Sequence, residues 1–313
     1  MWAYVARRVL AIVPVMGVVA VVVFMLLHLS PGDPAAIIAG DQATSEDIAA
    51  IREKLGLDRP LALQFVGWVG RLLVGDLGSS IFMNRPVLML IGERVEPTIA
   101  LALATMVFAI CLAIPMGVVA AWKAGSWIDQ LIMTFAVLAF SLPVFLIGYG
   151  LVYGFALQWD LLPVQGFVSL RDDPRGFVTH LVMPTMTLGL VYTALLARMT
   201  RGTMLEILNE DYVRTARAKG LGRTRVLVIH ALKNASVPIV TTIGIGVALL
   251  IGGVVVTESV FAIPGVGRLT IDAVLQRDYP VIQGVILVVS GIYVLINLVI
   301  DLTYSVLDPR IRY

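Results

Sequence analysis

The residues able to do chemistry in this chain are few, and they gather in three places. The first is Asp211–Pro238, DYVRTARAKGLGRTRVLVIHALKNASVP, where Arg214, Arg217, Lys219, Arg223 and Arg225 crowd between two strongly apolar runs. Cations interleaved with alanine and glycine suit a surface that holds another protein; they do not make a nucleophile or a general base. The second place is a pair of carboxylates near the ends of apolar runs, Glu258 and Asp301. A carboxylate costs ~2.5–3.5 kcal/mol at the centre of a membrane helix and less toward its end. Asp301 is therefore expected to form a structural ion pair with Arg7, Arg8 or a cation of the 198–233 loop, and Glu258 to meet water at the outer end of its run. The third is the set His28, His180 and His230, too scattered for a metal site to be inferred.

Other chemistries lack their residues. There is no G-x-x-x-x-G-K-[ST], and no lysine follows a glycine anywhere, so no P-loop is available to hydrolyse a nucleotide. There is no H-E-x-x-H, and Gly265-x-Gly267 does not open a strand–helix unit of the dinucleotide-binding kind. The single cysteine, Cys111, lies inside an apolar run and offers neither a disulfide nor a cysteine-based metal site. The expectation is a protein without catalysis, without a cofactor or metal of its own and without a nucleic-acid partner.

What must position these residues is a set of membrane helices. Of 313 residues, 59% are hydrophobic and 14% charged, where a soluble chain carries about a quarter charged. Six runs stand out: Val9–Leu29, Thr98–Ala121, Gln130–Leu157, Phe177–Ala197, Ser236–Thr257 and Val281–Ile300. Each reaches the roughly 20 residues that cross a hydrocarbon core, and each is apolar all round, as lipid-facing helices are. The short alternating segments of a β-barrel are missing. The reading is an all-α polytopic membrane protein with six transmembrane helices. The first run is too long for a signal peptide, and HLSPGDP lacks a small-x-small cleavage site, so it is read as a retained helix. With the N-terminus inside, the inner segments carry 13 basic and 5 acidic residues and the outer ones 10 basic and 15 acidic. That bias places both termini in the cytoplasm.

The segments between the runs have structure of their own. In 30–97, Thr44 and Ser45 start a helix that Gly56 stops, and Pro60 opens a second, LALQFVGWVGRLL, with Phe65, Trp68, Val69 and Leu72 on one stripe. This pair is either an amphipathic cap or a surface for an extracytoplasmic partner. Glu258–Gln283, with its Pro264–Gly267 turn, either dips back into the membrane or forms a surface loop with one short helix. The 198–235 loop reads as helix, turn, helix, with Leu205, Leu208, Tyr212 and Ala216 on a less polar face, Gly220 as a stop and Thr224 as the next cap. Pro115 and Pro143 interrupt the second and third helices, either as hinges or, preferred here, as tolerated kinks. Gly150, Gly154, Gly244, Gly246, Ala248, Gly252 and Gly253 permit close packing. The fifth helix, poor in bulk, is the candidate pathway lining, with Gly244, Ala248, Gly252, Glu258, Phe261 and Pro264 as pathway and outer gate.

These segments carry a resemblance over nearly the whole length. LGLDRPLALQFVGWVGRLLVGDLGSS (Leu55–Ser80), YVRTARAKGL (Tyr212–Leu221), ESVFAIPGVGRL (Glu258–Leu269), RDYPVIQG (Arg277–Gly284) and DLTYSVLDPRIRY (Asp301–Tyr313) are similar to permease subunits of binding-protein-dependent ABC importers. The resemblance is to the dipeptide/oligopeptide/nickel group, in its first-permease form with a long outer segment. It implies a type I importer permease fold in the bacterial inner membrane and a homologous second permease. It also implies two cytoplasmic ATP-binding subunits that carry the ATP and Mg, and an extracytoplasmic substrate-binding protein. Ala216 and Gly220 match the family's EAA motif, while Arg214 and Thr215 occupy its Glu and Ala places, and the following proline, Pro238, comes late. The resemblance thus implies ATPase coupling through Tyr212, Arg214, Thr215, Ala216, Arg217, Lys219, Gly220 and Leu221. Di- or oligopeptides are the implied cargo, with nickel, glutathione or another small solute as alternatives. From a different class, an ion-gradient-driven secondary transporter would call for internal repeats and paired midplane carboxylates, which are not evident.

Overall fold

A computed structural model describes residues 2–29, 35–36, 44–55 and 57–307. Among the described residues five helices are long and apolar enough to cross a membrane, and a bent helix pair makes six if it counts as one span. The chain divides into two compact units, Met1–Arg94 with Leu269–Leu298, and Val95–Arg268 with Val299–Arg312.

The first unit contains α1 (Trp2–Leu29), α2 (Ser45–Leu55) and α3 (Leu61–Leu73), the start of α4 (Val87–Trp122), most of α10 (Val266–Gln276) and the first two-thirds of α11 (Tyr279–Leu307). Pro60 caps α3, and Gly75, at φ +83°, closes it by letting Asp76 N–H reach back to the Arg71 carbonyl at 3.0 Å. Its stripe folds onto α1: the rings of Phe65 and Trp68 lie 5.3 and 5.7 Å from that of Phe24. Gln64 fastens the arrangement by bonding His28 Nε2 at 3.1 Å and donating to the carbonyls of Leu57 and Arg59. The amphipathic stripe thus serves as a cap on the first span. The expected stop at Gly56 lies outside the described residues. Elsewhere in this unit the Asp278 carboxylate, 2% exposed, accepts from Ser80 Oγ at 2.5 Å and from Ile81 N–H at 3.3 Å. Glu258–Gln283 holds the expected turn and one short helix, α10, of which Leu269 and Ala273 are buried.

The second unit holds the rest of α4, then α5 (Trp127–Ser141), α6 (Val144–Leu151) continuing as a π-helical turn (Val152–Gln158), α7 (Pro174–Leu208) and α8 (Asp211–Ala218). It ends in a long helical run: Arg223–Arg225, a π-helical turn Val226–Leu232, and α9 (Lys233–Val260). The third apolar run is two helices and not one kinked helix, because α5 and α6 meet at 102°. The proline ring forces Leu142 out of the helical region (φ −82°, ψ 134°), and Pro143 follows in an extended conformation (φ −58°, ψ 136°). Pro115 behaves differently and stays, with Pro97, inside the unbroken α4.

Of the glycines expected to permit close packing, Gly244, Gly246 and Gly253 do so, and Gly117 and Gly189, which were not expected, join them. A Cβ on Gly117 would stand 2.6 Å from Thr200 Cβ and 2.7 Å from the Ala197 carbonyl, so α4 and α7 approach there nearly backbone to backbone. Gly189 faces the Phe108 ring, Gly253 faces Leu188 and Gly244 faces Ile300. Gly150, Gly154 and Gly252 have nothing within 4 Å of the same point, so they pack against no described neighbour. Gly117→Val is accordingly expected to destabilise by about 1–3 kcal/mol through overpacking, while Gly150→Ala leaves the thermal unfolding midpoint unchanged or higher; melting both purified variants in detergent checks this.

Candidate functional site

The basic loop is held from beneath. On α8, Val213 is fully buried and Ala216 nearly so; they pack into one cluster with Met204 and Leu208 of α7 and Val226, Leu227, Ala231 and Ala235 beyond the turn. Helical spacing then turns Arg214, Thr215, Arg217 and Ala218 outward, and Lys219 and Gly220 follow them in the exposed turn. The helix ends as its glycine predicts. Gly220 takes φ +78°, Gly220 N–H reaches the Arg217 carbonyl at 3.0 Å and Leu221 N–H reaches the Ala216 carbonyl at 3.3 Å. Leu221 tucks against the same cluster. Nothing lies within 4 Å of the point a Cβ on Gly220 would occupy, so the space over this turn is open.

Two details depart from expectation. The next helix is capped by Gly222, with no side-chain cap bond, so Thr224 does not cap it. Tyr212 does not share the buried face: it is 41% exposed, its hydroxyl accepts from Asn234 Nδ2 at 2.7 Å and donates to the His230 carbonyl at 3.4 Å. Val213, which the spacing argument passed over, is the residue that seats α8. The Arg214–Asp211 pair, 3.3 Å apart and widely exposed, adds little.

Behind this surface lies a link that sequence reasoning treated only as topological charge. Arg201 of α7 grips Asp129 at the start of α5 with two bonds, Nε to Oδ1 at 2.6 Å and Nη2 to Oδ2 at 2.7 Å. Gly125 N–H adds a third bond to Oδ2 at 3.0 Å, and Asp129 is 3% exposed. A fork-to-fork pair of this kind fixes angle as well as distance. The only local hint was an acidic residue in the first turn after Ser126, the N-cap of α5.

At the other end of α9, Glu258 is not solvated; it is wholly buried. Thr98 Oγ1 donates to its Oε1 at 2.6 Å, Arg268 N–H donates to Oε2 at 2.9 Å, and Val266 N–H donates to Thr98 Oγ1 at 2.8 Å. The Pro264–Gly267 turn wraps the carboxylate so tightly that a Cβ on Gly265 would overlap it, and one on Gly267 would lie 2.9 Å from it. Gly265 has no left-handed backbone; it is needed for clearance. Gly265→Ala is expected to lower stability by at least about 2 kcal/mol, since neither backbone nor carboxylate can yield; thermal unfolding alongside Pro264→Ala, at an exposed position, is the check.

The residues expected to line a pathway are therefore not one surface. Phe261 is buried, its carbonyl accepting from Gly166 N–H at 2.9 Å, and Gly244 packs on Ile300, whereas Gly252 and Pro264 are exposed. The side chains of Ala248 and Asp301 lie outside the described residues, so the ion pair expected of Asp301 does too.

A family described as "Binding-protein-dependent transport system inner membrane component" matches residues 113–313, the stretch that contains the link, the basic loop and the Glu258 turn. The chain belongs to this family. An N-terminal companion, "Binding-prot-dependent transport system membrane comp, N-term", matches residues 1–102. Among relatives of this permease, a probable peptide ABC transporter permease protein of Sinorhizobium fredii is 51% identical over 313 residues, covering 100% of both chains. A dipeptide transport system permease protein of Alkalihalophilus pseudofirmus is 41% identical, covering 100% of both. A glutathione transport system permease protein of Salmonella typhimurium is 42% identical, covering 99% of both. Among solved structures, the MetNI methionine ABC transporter in inward-facing conformation aligns with a TM-score of 0.59 at 17% identity, covering 71% of this chain and 97% of that one. The permease thus has the all-α, membrane-spanning fold of type I importer permeases, and it is a transport component.

Proposed function

We propose that this permease forms half of the translocation pathway of an ATP-driven importer of di- and oligopeptides, with a homologous permease as the other half. Two cytoplasmic ATP-binding subunits hold ATP and Mg, and an extracytoplasmic binding protein delivers the cargo. The observation that carries the coupling is the exposed face of α8 and its turn: a cationic, small-residue surface seated rigidly on Val213 and Ala216. Tyr212, Arg214, Thr215, Arg217, Lys219 and Gly220 meet the ATPase, with Ala216 and Leu221 holding the turn beneath them. When ATP draws the two ATPases together, α7 and α9 tilt with the loop and shift the permease between inward- and outward-open states. In α9 the open face at Gly252 lines the pathway, while Glu258 and Phe261 hold the outer turn. Both termini are cytoplasmic, and the membrane is the bacterial inner membrane.

The peptide cargo is supported by relatives named for peptide, dipeptide and glutathione transport, glutathione itself being a tripeptide. Vesicles containing the permease with its neighbouring permease, ATPases and binding protein are expected to accumulate a labelled dipeptide only with ATP and binding protein present. An intact complex that hydrolyses ATP and ignores peptides would redirect the cargo to nickel or another solute. Uptake driven by an ion gradient without ATPases would overturn the importer assignment.

A further inference from the structure

Within the first unit, a cavity of about 570 Å³ opens between the outer end of α1, α3 with the turn that follows it, and the beginning of α11. Its size falls within the roughly 300–1,000 Å³ of small-molecule sites. Its lining is mixed, apolar on the spans and cationic at both ends of α3. Phe24 and Leu27 belong to the membrane-crossing stretch Leu10–Leu29, and Tyr279 opens the crossing stretch Tyr279–Ile300. Trp68 stands on Phe24, an aromatic with a polar edge where the span meets water. Arg59, just before α3, and Arg71, in its last turn, are both exposed, and neither has a side-chain partner among the described residues. The acidic residue of the lining, Asp76, directs Oδ1 to the Gly78 N–H of its own turn at 2.8 Å.

We infer that this cavity holds an anionic phospholipid, its headgroup drawn by the cations at the two ends of α3, Arg59 and Arg71, and an acyl chain along Phe24, Leu27 and Trp68. Guanidinium groups match phosphate geometry, and cations at a membrane surface attract acidic headgroups. A soluble anion needs the two arginines but leaves the apolar floor unused. A neutral lipid needs the floor but leaves two cations unmatched. An anionic phospholipid uses both. The inference rests on the membrane reading of the chain and is independent of the cargo.

The test uses the whole transporter complex in phosphatidylcholine nanodiscs carrying a small fraction of phosphatidylglycerol with brominated acyl chains, or of brominated phosphatidylcholine. Bromine quenches nearby indoles, and the difference between wild type and Trp68→Phe isolates Trp68. The expected result is quenching of Trp68 by phosphatidylglycerol with about thirtyfold higher apparent affinity than by phosphatidylcholine, the scale of two cations at a membrane surface. Arg59→Gln with Arg71→Gln removes the preference, and the double lysine variant retains most of it. Equal quenching by both lipids, or a preference that survives the double glutamine variant, overturns the lipid site. Displacement of the brominated lipid by millimolar glycerol phosphate overturns it in favour of a soluble-anion site. Native mass spectrometry of phosphatidylglycerol retained by wild type and the double glutamine variant gives the same decision without Trp68→Phe. Co-purification of the ATPases is read separately, so its loss in wild type would count against the importer and not against the lipid.

Discussion

Gly220→Trp is expected to abolish ATP-driven uptake while the permease remains folded in the membrane, whereas Gly220→Ala keeps most of it. The two substitutions share one cost. Gly220 holds φ +78°, and an L-residue there gives up roughly 1–2 kcal/mol. They differ in what they project, because the space above the turn is empty within this chain. Alanine adds a methyl that touches nothing, and tryptophan adds a ring in the position where the ATPase is proposed to close over α8. The measurement pairs uptake and ATP hydrolysis with thermal unfolding of each variant. Equal stability for the two, with uptake lost in tryptophan alone, assigns the loss to the partner contact. Normal uptake by Gly220→Trp would sink the coupling role of this turn.

Asp129→Ala is expected to lower stability by about 3 kcal/mol, at the low end of the range for breaking a buried pair because the Arg201 side chain is 28% exposed. The loss has two parts: the guanidinium keeps its desolvation without its partner, and the Gly125 N–H loses its acceptor. Arg201→Lys does not rescue geometry, since one ammonium cannot make both fork bonds. The pair joins α5 to the last two turns of α7, which lead into α8 and the basic loop. Loss of the link is therefore expected to reduce uptake more than the expression level predicts. Melting temperatures of Asp129→Ala, Arg201→Ala and the double variant measure the coupling: a double variant no worse than either single one identifies the pair as the cause. Additive losses would show that each residue acts alone.

The comparison of Asp129 with Gly220 shows which parts of this protein were legible in advance. Gly220 ends α8 through bonds to residues a few positions away, so its role was readable from composition and spacing. The same holds for Pro60 and for the apolar runs, because a chain in hydrocarbon must satisfy its backbone polar groups within its own segment. Asp129 and Arg201 stand 72 positions apart on different helices, and no local pattern pairs them. The third run read as one helix because apolar residues cover both arms, and hydrophobicity alone does not report a bend at Leu142–Pro143.

The sequence alone determined the all-α membrane class, the place of the basic loop and the stop at its glycine, since each depends on solvent preference or on bonds within one turn. The tertiary structure decided which face of each helix is used. It buried Glu258 beneath the Pro264–Gly267 turn, seated α8 on Val213 rather than Tyr212, and chose Gly117 and Gly189 over Gly150 and Gly154 as packing sites. In an apolar helix every face looks alike to the surrounding lipid, so only the shape and polarity of the neighbouring helices can tell one face from another.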